Sequence, residues 1–363
     1  MERKVALLLD ADSDFHDRRL VEVLQLGLQD SDWNADVIGL AYGSSGEIPF
    51  ATKSMTVSRY DLGKFHLVRN AIQQSNATVV HNFSNRSSIR LALANVRVPV
   101  IEQTEFVLGR GDKIATWRPS RLQLLKPDIH ATTMGNVDVT SENQNLWPIT
   151  VGTPILQDAS ESERQTFRKS LDVPERAKVM ITTAPLIANS NLKDLIWACD
   201  LLKCIRNDVH LVIVGNGSQR VELERFTRCT EVQRHVHFLA PTSATVDWIR
   251  ASDIYCASNS SLPHSMGTLT AMASGVPIVS VTGPFSDDLL VHQVTALGVE
   301  PGRRDQFARW AKYLLEQPRF REKLVSQARN WVAHQFPMTN LALSCINLYE
   351  HAANSFSHRA HSA

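Results

Sequence analysis

A polar loop, a helix and a buried strand follow one another between residues 258 and 280, in an order that suits anion binding. The loop Ser258–Gly267 is rich in Ser, Asn and His, and Ala271–Ser280 reads as a helix end, a glycine turn and a strand. The first turn of a helix carries unpaired N–H groups and a partial positive charge, and both attract phosphate. We therefore take four residues as candidates for binding a phosphate group: Ser258, His264, Ser265 and Gly267.

A second candidate is the strand Val212–Val214, which runs into the turn Gly215-Asn216-Gly217. Glycine permits backbone conformations and close approaches that a side chain prevents. A G-x-G turn after a buried strand is therefore typical of a ligand-contacting loop in an α/β protein, although such turns also occur for packing reasons alone.

Composition indicates an ordinary soluble protein. The chain has 363 residues, 43% of them hydrophobic and 21% charged, which is enough for about two domains. A net charge of +1 argues against nucleic acid or an anionic membrane as a partner. Five cysteines without a C-x-x-C pair predict reduced thiols and a cytoplasmic location. The apolar run Val5–Leu9 is too short for a signal segment or a membrane span and predicts a first strand.

Short apolar strands alternate with amphipathic helices along the whole chain, a pattern that predicts doubly wound parallel sheets. The Pro- and Gly-containing stretch Trp147–Pro154 separates two such series. We predict a first domain over 1–150, a connection over 151–178 and a second domain over 179–335. A helix over 336–353 is expected to return to the first domain, ahead of a flexible tail over 354–363. Because ligands bind beyond the carboxyl ends of parallel strands, the site is expected in a cleft between the two domains.

Several motifs in this order resemble those of GT-B glycosyltransferases of the family-4 type, the retaining group 1 enzymes. The similar segments are Ala77–Ser84, Arg97–Ile101, Ile149–Pro154, Val212–Gly217, Ala251–Ser258, Leu269–Ser280 and Gly283–Gly298. Together they extend over nearly the whole chain. The chain is thereby identified as similar to that family, with two facing Rossmann-like domains.

The resemblance implies transfer of a sugar from a nucleotide sugar to a hydroxyl acceptor, with no cofactor and no obligatory metal. The second domain would bind the donor and the first the acceptor, through loops such as Tyr42–Thr52 and Glu105–Arg118. His81 matches the family's histidine near the transferred sugar, although a buried structural histidine is the alternative. Asp288, next to Asp287, matches an acidic residue beside the donor, or else caps a helix. An acceptor at a membrane surface stays open.

The charged donor-binding residues of the family are missing. Its Glu-x7-Glu pair corresponds to Leu262 and Thr270, with Ser260 or Ser261 as the first member if the loop carries an insertion. By its position, Thr270 is a candidate for donor binding. Its Arg and Lys correspond to Pro185 and Ser190. Hydrogen bonds to charged groups contribute about 1.5–3 kcal/mol each, so four losses amount to roughly 6–12 kcal/mol before any compensation. The candidate compensators are Lys193, Arg220, His264, His292 and the helix start at Ser265–Gly267.

Two other interpretations follow from these departures and from the N-terminus. A chain that lost catalysis would act as a saccharide- or nucleotide-binding protein, or as a scaffold for an active glycosyltransferase. The strand-end sequence Asp10-Ala11-Asp12 resembles the opening motif of haloacid dehalogenase-like phosphatases and the metal-binding motif of GT-A enzymes. A strand-end turn with Asp at a helix N-cap is the favoured explanation, because the later phosphatase elements are not evident at suitable spacing.

Overall fold

The computed structural model describes residues 3–42, 48–57, 65–84, 86–94, 96–103, 106–108, 114–116, 129–133, 146–258, 265–282 and 289–362. These residues form two compact units. The first unit comprises Met1–Ser13, Asp17–Gly152 and Met338–Ala363, and the second comprises Asp14–His16 and Thr153–Pro337.

The two units contain alternating strands and helices. The strands are β1 (Arg3–Asp10), β2 (Trp33–Ala41), β3 (Lys53–Thr56), β4 (Val79–Asn82), β5 (Val100–Gln103), β6 (Phe106–Leu108), β7 (Ile114–Thr116), β8 (Ile129–Thr132), β9 (Leu146–Pro148), β10 (Lys178–Thr183), β11 (Val209–Val214), β12 (Val236–Leu239), β13 (Ile254–Ala257), β14 (Ile278–Val281) and β15 (Leu297–Val299). The helices are α1 (Phe15–Leu28), α2 (Phe65–Ser75), α3 (Ser87–Leu93), α4 (Glu161–Ser170), α5 (Leu192–Lys203), α6 (Arg220–Cys229), α7 (Thr245–Ala251), α8 (Met266–Ala273), α9 (Arg304–Glu316), α10 (Pro318–Gln335) and α11 (Met338–Ser362).

The first unit is built on a parallel sheet with the described strand order β3-β2-β1-β4-β5-β8-β9, besides the antiparallel pair β6–β7. The chain winds outward from β1 to β3 and then returns to β4, so the winding reverses between β1 and β4. β1 pairs with β2 on one side and β4 on the other, and it is buried from Val5 onward. α11 packs on this unit, where the Tyr349 and Trp33 rings lie 5.3 Å apart.

The second unit repeats the arrangement with a parallel sheet of order β12-β11-β10-β13-β14-β15. β11 is buried along its whole length, as its run of Val, Leu and Ile requires. The reversal of winding falls between β10 and β13. Two doubly wound α/β units confirm the fold class that the sequence predicts.

Two segments differ from the predicted boundaries. α4 lies in the predicted connection 151–178 but belongs to the second unit, where Arg168 forms a buried ion pair of 2.8 Å with Asp253. A capping box between Ser160 and Glu163 fixes where this helix begins. α11 continues to Ser362, through the predicted flexible tail, since no Gly or Pro interrupts that stretch.

Gly275 makes the turn between α8 and β14. Its φ of +71° lies in the left-handed region, which side chains other than glycine rarely adopt. The turn brings the chain directly from the buried helix into the buried strand, as the spacing of residues 271–280 predicts.

Candidate functional site

The two segments singled out in the sequence lie against consecutive residues at the carboxyl end of β10. A Cβ atom added to Gly267 would lie 2.1 Å from Oγ1 of Thr183, and one added to Gly215 would lie 1.9 Å from the carbonyl oxygen of Ala184. The glycine turn and the start of α8 therefore converge where the second sheet reverses its winding. This is the position at which open α/β sheets bind ligands.

The glycine turn is packed on the loop after β10. Gly217 approaches Leu186 so closely that a Cβ atom would lie 2.4 Å from the Leu186 carbonyl oxygen, and the Asn216 carbonyl accepts the Leu186 amide at 2.9 Å. The Gly215 amide donates to the Leu239 carbonyl at 2.9 Å. The glycines thus serve this packing, and the Gly215 amide is not available to a ligand. A ligand role in this turn falls on Asn216 and Gly217, which are exposed.

Neutral hydroxyl groups lie beneath the start of α8. The hydroxyls of Thr183 and Tyr255 are 2.7 Å apart, and a Cβ atom on Gly267 would lie 2.2 Å from the Tyr255 oxygen. Burial raises the pKa of Tyr255, and hydrogen bonds with Thr183, Ser265 and Thr268 oppose that shift. The floor of the site is therefore uncharged.

His16 lies at the N-terminus of α8 and was not identified from the sequence. The three residues Asp14–His16 belong to the second unit, and the Met266 amide donates to Nδ1 of His16 at 3.2 Å. Because Nδ1 accepts, Nε2 carries the proton. Nε2 is buried and has no hydrogen-bond partner among the described residues. Burial lowers the pKa of His16, which favours this neutral form. No spacing rule links residues 16 and 266, so only the fold reveals the pair.

Pro185 and Ser190, which correspond to the family's Arg and Lys, take part in hydrogen bonds within the protein. Ser190 is fully buried and donates to the Pro185 carbonyl at 2.5 Å, while Ser258 donates to the Ser190 carbonyl at 2.7 Å. Two hydroxyls and two carbonyls thus bond to one another at the positions that correspond to the family's Arg and Lys. The hydroxyl of Ser258, proposed for donor binding, is directed into this contact.

Thr270, which stands in place of the second Glu, is also fully buried. Its carbonyl accepts the Ser274 hydroxyl at 2.6 Å, and its Oγ1 has no partner in the part of the chain that the structure describes. Threonine here completes the interior packing of α8. Its predicted contact with a donor is not supported by this geometry, because the side chain does not reach the surface.

The basic candidates have local partners. Lys193 pairs with Glu222 and its Nζ lies 5.8 Å from the Phe226 ring centroid. Arg220 pairs with Glu224, and Nδ1 of His292 accepts the Gly298 amide at 2.9 Å. Surface ion pairs contribute only about 0–1 kcal/mol, so a diphosphate could compete with Glu222 for Lys193.

His81 is buried in the first unit. Its Nδ1 lies 3.0 Å from the Tyr349 hydroxyl and its Nε2 lies 3.3 Å from Oε1 of Gln103. Burial lowers its pKa to about 3, so the ring is neutral. With both ring nitrogens engaged, the geometry favours the structural alternative, and a catalytic role for His81 stays a prediction.

The remaining predicted site residues, His264 and Asp288, lie outside the described residues, as do Ser260, Ser261, Leu262 and Asp287. Within the described ranges, no three His, Cys, Asp or Glu side chains are arranged to hold a metal ion. Asp10 and Asp12 both pair with Arg86, so a guanidinium occupies the place that a cation would take in the alternative Asp-x-Asp interpretation. Among the described helices, none is long and apolar enough to span a membrane.

Comparison with known proteins identifies the class. Residues 163–331 match the family described as glycosyl transferases group 1. An uncharacterized glycosyltransferase of Methanocaldococcus jannaschii is 26% identical over 193 residues, which are 53% of this chain and 49% of that protein. The lipopolysaccharide core biosynthesis glycosyltransferase LpsE of Rhizobium meliloti is 24% identical over 47% of this chain and 48% of its own. The chain spans about half the length of the curated relatives it matches.

Solved structures extend the likeness to both units. HepE of Anabaena, crystallised with UDP and glucose, has a TM-score of 0.70 at 15% identity, covering 96% of this chain and 99% of that one. WaaG, a glycosyltransferase involved in lipopolysaccharide biosynthesis, has a TM-score of 0.63 at 15% identity, covering 97% and 99%. Both units therefore have the fold of GT-B proteins. The match to the glycosyl transferases group 1 family lies in the second unit.

Proposed function

We propose that this protein transfers a sugar from a nucleoside diphosphate sugar to a hydroxyl acceptor, with the donor on the second unit and the acceptor on the first. One observation carries the proposal. The glycine turn and the N-terminus of α8 both lie against the end of β10, at the reversal point where a doubly wound sheet binds ligands. The family match over residues 163–331 and relatives named glycosyltransferases support the same reaction.

The diphosphate would be bound mainly by uncharged groups. The Met266 amide donates to His16, but the next amides of α8, those of Gly267 and Thr268, have no acceptors within the helix. The Nε2–H of His16 is a buried donor without a partner among the described residues. Both suit phosphate oxygens, as does the partial charge of the helix start. These donors would also stabilise the charge that develops on the leaving diphosphate. Lys193 is a candidate for a charged contribution.

A weak donor site follows from this chemistry. The positions that carry four charged groups in the family hold Leu262, Thr270, Pro185 and Ser190 here. Lost charge-assisted hydrogen bonds amount to roughly 6–12 kcal/mol before compensation, against about 8 kcal/mol for a micromolar ligand. We expect the remaining donors to hold the diphosphate with modest affinity and with little dependence on salt.

The reaction as proposed needs no cofactor and no metal, and the protein is proposed to be cytoplasmic. The cysteines are all free thiols, of which Cys199, Cys256 and Cys345 are buried. Reduced thiols suit a cytoplasmic location. An assay in the presence of EDTA tests the metal question directly, because a metal-dependent transferase would lose its activity there.

A panel of UDP-, GDP-, ADP- and dTDP-sugars tests the donor assignment. A nucleotide that binds the folded state at 100 times its Kd raises the free energy of unfolding by about 2.7 kcal/mol. Thermal unfolding with each nucleotide should identify one base, and product formation with that donor and simple sugar acceptors should follow. If no nucleotide raises the unfolding temperature, the proposal is wrong.

A second candidate function is binding without catalysis, in which the protein binds a saccharide or nucleotide or supports an active glycosyltransferase. The burial of Thr270 and Ser190 favours it, since both residues replace charged donor-binding residues of the family with interior packing. Donor binding without sugar transfer, and without release of free sugar, would establish this alternative.

A further inference from the structure

Three histidines lie side by side at the edge of the second sheet. His210 is on β11, His237 is on β12, and His235 is the residue before β12. In the strand order that the structure describes, β12 pairs with β11 alone and is therefore an edge strand. Because side chains alternate along a strand and Leu211 is paired with Val236, the three rings belong to one face of these two strands. We call them the histidine cluster.

The rings of the cluster contact one another directly. Nδ1 of His210 lies 3.2 Å from Nε2 of His237, within hydrogen-bond distance. The His210 ring is also stacked on the His235 ring, with centroids 4.9 Å apart and planes at 22°. Nδ1 of His235 donates to the Val209 carbonyl at 2.9 Å. The histidine side chains therefore join β12 to β11 in addition to the backbone hydrogen bonds of the sheet.

The bond between His210 and His237 tolerates one added proton and no more. In the neutral pair one ring nitrogen donates and the other accepts. A single proton can be accommodated by a change of tautomer, but with both rings protonated two N–H groups and two positive charges face each other. His210 is 7% exposed, so water screens this repulsion poorly. Burial, and next the charge of His235, lower the pKa of His237 as well.

The charges around His210 favour its neutral form. Burial, and next the other two histidines, lower its pKa from 6.5 to about 4, against the carboxylate of Asp208. Asp208 is paired with Arg206, whose Nη2 lies 2.8 Å from its Oδ2, and Lys178 of β10 also interacts with it. The residue of β10 that lies opposite His210 is the apolar Val179. The Asp208 carboxylate is therefore largely neutralised by its own cations.

Acid consequently favours separation of the two strands. A histidine that is released from the cluster binds a proton at its ordinary pKa, whereas the packed His210 binds one only near pH 4. The ratio of separated to paired β12 therefore increases by up to tenfold for each pH unit between these two values. Acidification through both values corresponds to a roughly 300-fold increase from His210 alone.

Two backbone carbonyls connect β12 to the candidate donor site. The Leu239 carbonyl, at the end of β12, accepts the Gly215 amide at 2.9 Å, and the Phe238 carbonyl accepts Nη2 of Arg220 at 3.4 Å. The guanidinium carbon of Arg220 also lies 5.0 Å from the Phe238 ring centroid. Gly215 begins the glycine turn and Arg220 begins α6. Separation of β12 removes these bonds, and the glycine turn loses part of its support.

We propose that the histidine cluster is an acid-sensitive switch of the donor site: when its histidines bind protons, β12 separates from β11 and the glycine turn is released. The effect on the donor rests on the proposed function, whereas the separation of the strands does not. A nucleotide sugar that contacts Asn216 and Gly217 binds while the strands are paired. Acid therefore weakens its binding before the whole unit unfolds, because edge elements open at lower free energy than the core.

Hydrogen exchange of the full chain tests the strand separation without any ligand. Protection of the backbone amides in peptides covering 209–217 and 236–240 is measured from pH 7.5 to pH 4.5, corrected for the intrinsic exchange rate. We expect protection in both peptides to fall at least tenfold, while a peptide from the central strand β13 keeps its protection. In the double variant His210→Asn/His237→Gln, whose side chains form hydrogen bonds but do not titrate, the fall should be less than threefold. His334→Gln, on the exposed side of α10, is the matched control and should behave as the wild type.

Titration with UDP-glucose then tests the effect on the donor site. This probe lacks the terminal phosphate group that ionises near pH 6, so its own charge stays constant. We expect its affinity for the wild type to fall at least fivefold between pH 7.5 and pH 4.5, and its affinity for the double variant to change less than twofold.

The outcomes separate this inference from the proposed function. Protection that is constant with pH in the wild type, or that falls equally in the double variant, would overturn the inference and leave the proposed function untouched. Loss of protection without loss of affinity would overturn the link to the donor site. Absence of UDP-glucose binding at every pH, with the pH-dependent protection present, would count against the proposed function alone.

Discussion

Oγ1 of Thr183 and the hydroxyl oxygen of Tyr255 lie 2.7 Å apart, joining β10 to β13 where the second sheet reverses its winding. Gly267 rests on this pair, and a Cβ atom there would lie 2.1 and 2.2 Å from the two oxygens. The position of the α8 N-terminus therefore depends on a glycine and two hydroxyls.

Gly267→Ala should displace the start of α8. Overpacking of this kind costs about 1–3 kcal/mol of unfolding free energy, and the displaced amides should bind UDP at least tenfold more weakly. Urea unfolding and calorimetry measure the two effects. Gly302→Ala is the control, because its Cβ would meet no atom within 4 Å while its positive φ still strains the backbone. If both variants bind UDP like the wild type, α8 does not form the site.

His16→Ala should weaken nucleotide binding. Loss of one hydrogen bond to a charged phosphate corresponds to about 1.5–3 kcal/mol, or roughly a tenfold to a hundredfold increase in Kd. His334→Ala, on the exposed side of α10, should leave the Kd for UDP unchanged. Equal affinities for the His16 variant and the wild type would remove His16 from the donor site.

The free energy of unfolding should depend on pH because of the raised pKa of Asp10. Its folded-state pKa of about 6 exceeds the ordinary value of 3.8, so the folded chain binds more protons between these values. This difference in pKa contributes about 3 kcal/mol to the free energy of unfolding. The contribution is fully present below about pH 4 and is lost as the pH rises through 6. Asp10→Asn should become progressively more stable than the wild type over this range in urea titrations. A difference that does not vary with pH would contradict the assignment.

His81→Phe should reduce stability and spare nucleotide binding. The change removes the hydrogen bonds of the histidine ring with the Tyr349 hydroxyl and the Gln103 amide oxygen, at about 0.5–1.5 kcal/mol for each bond lost. Tyr349→Phe, alone and combined with His81→Phe, tests whether the two side chains are coupled. A variant with normal stability and no transferase activity would instead make His81 catalytic.

Much of the fold follows from local sequence. The apolar strands β1, β10 and β11 and the glycine turn at Gly275 are predicted because burial and backbone geometry leave few alternatives. β3 was missed, since Lys53–Thr56 is an exposed edge strand without an apolar run. The limits of α11 were also missed, because a helix without Gly or Pro carries no local end signal.

The site was less predictable because its contacts join distant residues. The sequence predicts that the glycine turn and the start of α8 belong to a ligand site. It does not predict that both lie against the end of β10. It gives no reason to pair His16 with Met266 or Asp10 with Ser84, since these contacts exist only after the sheets have formed. Conversely, Ser258 and Thr270 fit the family motif by position, and burial directs both away from a ligand.

Calorimetric titration of the full chain with UDP, GDP and ADP, and with the corresponding nucleosides, tests the central claim most directly. If main-chain amides and His16 hold a diphosphate, one nucleoside diphosphate should bind once per chain with a Kd between about 1 μM and 1 mM, and its nucleoside should bind at least tenfold more weakly. A nucleoside that binds as tightly as its diphosphate, or no binding by any of the three diphosphates, would contradict the account.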